Sequence, residues 1–311
     1  MIFVRVLSFF IKLFGRISHH SNIFFLNRIV TYLKVKKEKK IFDMLGALNY
    51  SGTPNFQSEV LSSRVASCRN IVWTAWFQGL EYAPELVKKC VTSFTKLNCD
   101  EVIVITESNY SDYVTIDESI ISKFNAGVIN YTSFSEIIRL QLLSTYGGFW
   151  IDSTVFIRNA CFESVNQTSF LSLKSSDEFK DGDPLGVIPV FFLYTNRNYH
   201  YISLVRDLFF SYWSKYDSLV DYFLIDYCFK YVSVIYPGFK SDIKKMPIIG
   251  KQRYLLDFLF DQEANDINLS KLNEDPCGIY KLSNKKDYSL ITPSAKETLY
   301  SKFINNEDFF R

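Results

Sequence analysis

Between Phe134 and Thr154 the chain reads F-S-E-I-I-R-L-Q-L-L-S-T-Y-G-G-F-W-I-D-S-T, and three charged residues in it are spaced for work on a phosphorylated sugar. Glu136 and Arg139 lie three residues apart, so they are neighbours on one face of a helix. Gly147 and Gly148 permit a tight reversal, after which a strand can return beside that helix and present Asp152 at its tip. Two carboxylates and a guanidinium gathered at a sheet edge suit a ribose diphosphate, because hydroxyls need acceptors and phosphates need fixed cations. Each residue alone reads equally well as an ordinary helix-surface charge or a turn cap. It is the combination, with an aromatic run upstream, that points to a site.

The elements that must position these residues alternate between strand and helix. Residues 70–76 form a short apolar strand candidate, and Pro84 opens a helix with Leu86, Val87, Cys90, Val91, Phe94 and Leu97 at helical spacing. Residues 102–106 are a β-rich run of the kind buried on both faces of a parallel sheet. Ser133 with Glu136 has the pattern of a capping box, opening a helix that runs to about Tyr146. Residues 149–152 then form the next strand. The expected fold is α/β, a doubly wound sheet with ligands beyond the strands' carboxyl ends, where Trp76, Thr106 and Asp152 all fall. Further strands are expected at residues 169–173 and 187–194, and helices at 199–213 and 218–234. From Pro237 the chain reads as irregular and polar.

Ahead of this core stands a different kind of segment. Within residues 1–14 the apolar run is broken only by Arg5, Ser8 and Lys12, and Arg16 follows, so the polar residues lie along one helical stripe. The stretch is too short and too punctuated to span a bilayer, which takes ~20 apolar residues, and it lacks a secretory cleavage signature. A cationic stripe on an aromatic helix suits the surface of an anionic membrane, with Lys34, Lys36, Lys37, Lys39 and Lys40 adding attraction. The same helix would serve equally as a cover docked on its own domain. The organisation expected is therefore an amphipathic, basic, membrane-associating segment over 1–47, a linker over 48–69 and one catalytic domain over 70–311.

Composition excludes more than it indicates. A net charge of +2 gives no global field for nucleic acid, and three His make a His-rich metal centre improbable. The six Cys are scattered, without a C-x-x-C pair, and read as buried free thiols in a reducing, cytoplasmic compartment. Aromatic residues reach 17%, which fits either sugar-stacking rings or an A·T-rich coding sequence.

The block from Arg139 to Asp152 resembles the sugar-binding region shared by glycosyltransferase family 32, the large clostridial glucosylating toxins and, most closely, the capsular polysaccharide synthesis proteins. In these, a helix bearing S-D-x-x-R precedes Y-G-G and a strand ending in D-x-D, and the 13-residue separation of Arg139 and Asp152 agrees. The runs W-T-A-W-F-Q-G (from Trp73), D-Y-F-L-I-D-Y (from Asp221) and Y-K-L-S-N-K (from Tyr280) resemble other motifs of the capsular family. The resemblance implies a nucleotide-sugar-binding fold of the GT-A kind, a mixed Rossmann-type sheet with flanking helices. It also implies transfer of a sugar, with retention of configuration, from a nucleotide diphosphate (UDP foremost) to a surface-polysaccharide glycan, plausibly undecaprenyl-linked, at the inner face of the plasma membrane.

Carried over residue by residue, the resemblance places Trp76 at the nucleobase and Glu136 and Arg139 on ribose, sugar or phosphate. Asp152 and Asp226 would be the catalytic carboxylates, and Lys281 and Lys285 would neutralise the leaving diphosphate. Glu136 stands where the family has Asp. Thr154 replaces the second acid of D-x-D, which leaves a Mn²⁺ or Mg²⁺ ion only Asp152, Thr154, Asp226 and the diphosphate as ligands. The alternative is a non-catalytic nucleotide-sugar-binding or assembly protein, which Thr154 favours. A phosphotransferase would require a phosphate-cradling glycine loop, and no G-x-x-x-x-G-K-[ST] occurs.

Overall fold

The computed structural model describes residues 1–21, 24–48, 62, 65, 70–159 and 168–306. Most of the 48–69 linker, and Cys68 and Cys161, therefore lie outside the described residues.

Strand periodicity organises the core. In β1 (Ile71–Ala75), Ile71 and Trp73 face one way and Val72 the other, and the same alternation separates Trp150 from Phe149 and Ile151 in β3 (Gly148–Ile151). The sheet has the order β2-β1-β3-β6-β5, with β2 at Glu101–Ile105, β5 at Phe170–Ser172 and β6 at Phe192–Thr195. The first three strands run parallel, β6 runs antiparallel to β3 and β5 antiparallel to β6, so the sheet is mixed and GT-A-like rather than uniformly doubly wound. On the Trp73/Trp150 face lie α5 (Tyr131–Thr145), α6 (His200–Lys215) and α7 (Leu224–Ile235). The opposite face is covered by α3 (Glu85–Thr92) and by α9 (Leu255–Leu259), α10 (Asp266–Asn273) and α11 (Leu299–Asn305). An eight-residue α4 (Glu118–Asn125) precedes α5, and α8 (Pro237–Lys245) follows α7.

Several boundaries differ from expectation, each for a local reason. The capping box does not form: α5 starts a turn earlier, where the Asn130 side chain accepts the Ser133 N–H, so Ser133 is inside the helix. Residues 187–191 stay out of β6, with Pro189 among them unable to donate to a ladder. Helix α7 begins at Leu224 because Asp221 turns the chain just before it, its carboxylate accepting the Phe223 N–H. The segment after Pro237 is the largest departure: it holds four helices and β7 (Ile279–Lys281), which pairs antiparallel with β4 (Val155–Ile157).

The glycine pair does the work expected of it. Gly147 and Gly148 have φ of 72° and 86°, and a Cβ on Gly148 would stand 2.5 Å from the Ile71 carbonyl oxygen of the neighbouring strand. Only glycine lets β3 pass that close to β1 directly after α5.

The N-terminal segment is a helical hairpin, α1 (Ile2–Ser21) against α2 (Phe24–Gly46), docked on the domain. Val4, Ile41 and Leu45 are buried in the main core, and Leu7 is buried as well. Docking is fixed electrostatically by Lys37 on Asp221 at 2.9 Å and by an ion pair between Lys230 and Glu38. Part of the lysine run thus binds the protein itself. No helix among the described residues is long and apolar enough to cross a membrane.

Candidate functional site

Helix α5 is buried on nearly every side from Ser133 to Thr145, so Glu136 and Arg139 are interior charges rather than a surface pair. A buried guanidinium is tolerable only with partners. Arg139 has two: its Nη2 donates to Asp152 Oδ1 at 2.9 Å, and its plane lies 4.9 Å from the Trp150 ring. The Trp150 indole N–H also donates to Asp152 Oδ1, at 3.0 Å. Trp150 escaped the sequence reading, although strand alternation puts it on the Asp152 face two residues earlier.

The other Asp152 oxygen belongs to a distant part of the chain. Strand β7 pairs Lys281 opposite Val155, and the Leu282 N–H donates to the Thr154 carbonyl. This brings Lys281 Nζ to 2.8 Å from Asp152 Oδ2 and 2.8 Å from Thr154 Oγ1. Phe191 lies beneath the ammonium at 5.2 Å, and its carbonyl accepts the Asp152 N–H. Asp152 is thus held by two cations and an indole at the carboxyl end of the parallel strands. Burial works to raise its pKa, but Lys281 and Arg139 outweigh that and hold it at about 2.

Glu136 and Asp226 have the opposite electrostatics. Burial pushes Glu136 up to about 8, with Arg139 resisting and the charges of Asp226 and Asp152 adding to the rise. Burial likewise raises Asp226 to about 7 against Arg139. Asp226 sits in the first turn of α7, buried on the side away from solvent, and is no helix-surface acid. Arg139 is the charge common to all three carboxyls.

Of the remaining expected residues, Trp76 follows β1 at the same sheet edge, half-buried, with a buried indole N–H lacking a partner. Arg139 Nε and Nη1 are likewise buried without partners. Lys285 is exposed in the loop after β7, and no contact places it with the cluster. Trp73 is core, its indole N–H donating to the Gly147 carbonyl. Cys90 and Cys228 are buried free thiols, and Cys277 is buried too.

The donor set does not fit a resident divalent ion. Both Asp152 oxygens are engaged, the Lys281 ammonium stands between Asp152 and Thr154, and burial disfavours the charged forms of Asp226 and Glu136. Among the described residues no group of three or more His, Cys, Asp or Glu is arranged to hold a metal. Hard cations need ionised oxygens that point at one centre.

A model of the family described as "capsular polysaccharide synthesis protein" matches residues 19–303. The chain belongs to that family. Its place in capsule synthesis follows from the membership, and the match takes in every residue of the cluster as well as α2 and β7. No curated protein and no solved structure matches the chain.

The two raised carboxyls make stability depend on pH. In the unfolded chain both ionise near ~4, whereas in the fold they hold protons to about 7 and about 8. The native state therefore binds more protons between those limits, and the stability present at acid pH is lost as pH rises through the folded values. Thermal unfolding is expected at lower temperature at roughly pH 8.5 than at roughly pH 5.5, and Glu136→Gln should flatten the fall. An unchanged slope in that variant would contradict the burial account. Asp152, ionised across the window, contributes nothing to it.

Proposed function

We propose that this family member is a glycosyltransferase that moves a sugar from a nucleotide diphosphate to a glycan of the capsule, with protein cations in the role a metal plays elsewhere. The observation that carries the reading is the Arg139–Asp152–Lys281 cluster. It sets two cations around one carboxylate at the carboxyl edge of a parallel sheet, beside unpartnered buried donors on Arg139 and Trp76. Nucleotides bind at that edge in open α/β sheets. Trp76 would take the nucleobase, and Asp152 the ribose or sugar hydroxyls. Lys281 and the free edge of Arg139 would take the diphosphate.

In the transfer an acceptor hydroxyl oxygen bonds to the anomeric carbon, the bond from that carbon to the phosphate oxygen breaks, and the electron pair leaves with the nucleoside diphosphate. Negative charge grows on that leaving oxygen, where a prepositioned ammonium and guanidinium stabilise it most. In the retaining course that the family resemblance implies, the acceptor's proton passes to the departing phosphate. Asp226, balanced near neutrality, is the carboxyl suited to hold the acceptor or sugar hydroxyl during that passage. UDP is the first donor to try.

The acceptor is lipid-linked in this reading, and the protein is peripheral at the inner face of the membrane. What supports this is the outer face of α1, where Ile2, Val6, Phe9, Leu13 and Ile17 form an exposed apolar row.

The test is release of nucleoside diphosphate from a panel of nucleotide sugars, in EDTA and in Mn²⁺. Turnover of one donor, undiminished by EDTA, is expected. Turnover that vanishes in EDTA and returns with Mn²⁺ would overturn the metal-free part. Binding without release, even with membrane extract as acceptor, would favour the non-catalytic reading to which Thr154 lends weight. Thr154→Asp, which supplies the missing acid beside Lys281, is expected to make the enzyme respond to Mn²⁺ for the first time.

A further inference from the structure

Between the hairpin and the domain lies a cavity of about 770 Å³, separate from the Asp152 cluster. Its wall carries four cations, Arg5, Lys12, Lys34 and Lys37, and two acids, Asp183 and Asp221. Lys37 pairs with Asp221 at 2.9 Å and Lys34 with Asp183 at 3.8 Å. Among the described residues no acid pairs with Arg5 or Lys12. The cavity wall is thus left with two positive charges in excess, Arg5 and Lys12, both on α1 and both partly exposed to solvent. Arg5, Ser8 and Lys12 of the polar stripe line this cavity, while Ile2, Val6, Leu13 and Ile17 of the apolar row are exposed outside it. The remaining wall is largely apolar, including Phe9, Ile11, Leu185 and Val220.

The cavity also abuts the site. Tyr222, Phe223 and Tyr227 line it, while Asp226, between Phe223 and Tyr227 in the first turn of α7, is buried and feels the charge of Arg139. The Tyr222 ring is 68% exposed, and its hydroxyl feels the charges of Glu136, Asp152 and Asp226. A ligand seated under α1 would therefore have a short way past Tyr222 to Arg139.

We infer that this cavity seats the phosphate-bearing head of an amphiphilic acceptor, a phosphate or diphosphate on a long apolar chain, with Arg5 and Lys12 as its anion contacts. The occupant is chosen by the pairing of surplus cations on the cavity wall with an exposed apolar row on the same helix. A phosphate held beneath α1 leaves its chain to run along Phe9 into the bilayer that the row would contact. A free phosphate would need the cations but not the apolar wall. The inference rests on the transferase reading above and names the acceptor's site within it.

The experiment measures binding of the full chain to phosphatidylcholine vesicles doped with a long-chain polyprenyl phosphate. Controls are vesicles of equal charge doped with phosphatidylglycerol, and inorganic diphosphate in solution. Preference for the polyprenyl phosphate vesicles is expected. The double variant Arg5→Ala/Lys12→Ala should weaken that binding about 30-fold, roughly fivefold per cation, and abolish the preference. Leu185→Trp, which keeps every charge but narrows the cavity, should also reduce the preference, so that a folding defect in the first variant does not decide the matter. Equal binding to both anionic vesicles, diphosphate binding as tight as the vesicles, or a preference untouched in both variants would each overturn the assignment. Donor hydrolysis by water should persist in both variants. If it is absent already in the unaltered protein, the transferase reading fails, whatever the vesicles show.

Discussion

Asp152→Asn is expected to lower donor turnover about a thousandfold while leaving the chain folded. The substitution keeps the side chain's size but removes the charge that holds two cations in register, Arg139 Nη2 at 2.9 Å and Lys281 Nζ at 2.8 Å. With a neutral amide between them, the ammonium and guanidinium repel each other without compensation and lose their fixed aim at the leaving phosphate. Removing a single prepositioned charge-stabilising group costs about 10²–10³ in rate, and here one change disorders two. The measurement is single-turnover release of nucleoside diphosphate at saturating donor, with thermal unfolding as the control for folding. A variant that keeps more than about a tenth of the rate would remove Asp152 from the site.

Arg139→Lys is expected to cost about a hundredfold in kcat/KM although it preserves the charge. The guanidinium performs three tasks at once: it stacks on Trp150 at 4.9 Å, donates through Nη2 to Asp152, and keeps Nε and Nη1 buried and unpartnered for a ligand. An ammonium on a shorter stem has neither the plane nor the fork and meets at most one of them. If those donors take the donor's diphosphate, as proposed, the loss should appear in donor affinity as well as in rate. Steady-state kinetics on the preferred donor separates the two, and a variant within about threefold of the unaltered protein would contradict this use of the guanidinium.

Much of this site was legible because its residues are close in sequence and obey short-range rules. Helical spacing put Glu136 and Arg139 together, the glycine pair forced the return of β3, and strand alternation fixed the side of Asp152. Lys281 came only through a resemblance, since nothing local tells that β7 will pair with β4 across more than a hundred residues. The helices from Pro237 onward escape a sequence reading for a related reason: they are short, and packing stabilises them rather than intrinsic periodicity, α8 on the Trp73/Trp150 face and α9 to α11 on the Val72/Phe149 face. On α1 the periodicity places Arg5, Ser8 and Lys12 along one stripe, and the structure puts all three on the wall of the cavity beneath the hairpin. A stripe of Arg5, Ser8 and Lys12 on an apolar helix has two faces, and a sequence alone does not say which of them meets the domain.

The central claim is that the Arg139–Asp152–Lys281 cluster moves a sugar from a nucleotide diphosphate to an acceptor. Its most direct test counts two products of one reaction, with purified protein, the best-bound nucleotide sugar and lipid extract as acceptor: nucleoside diphosphate released, and sugar gained by the lipid fraction. Equal amounts of both, in EDTA, from the unaltered protein and neither from Asp152→Asn are the predicted result. Sugar transfer that survives in Asp152→Asn, or tight donor binding with neither product formed, would contradict it.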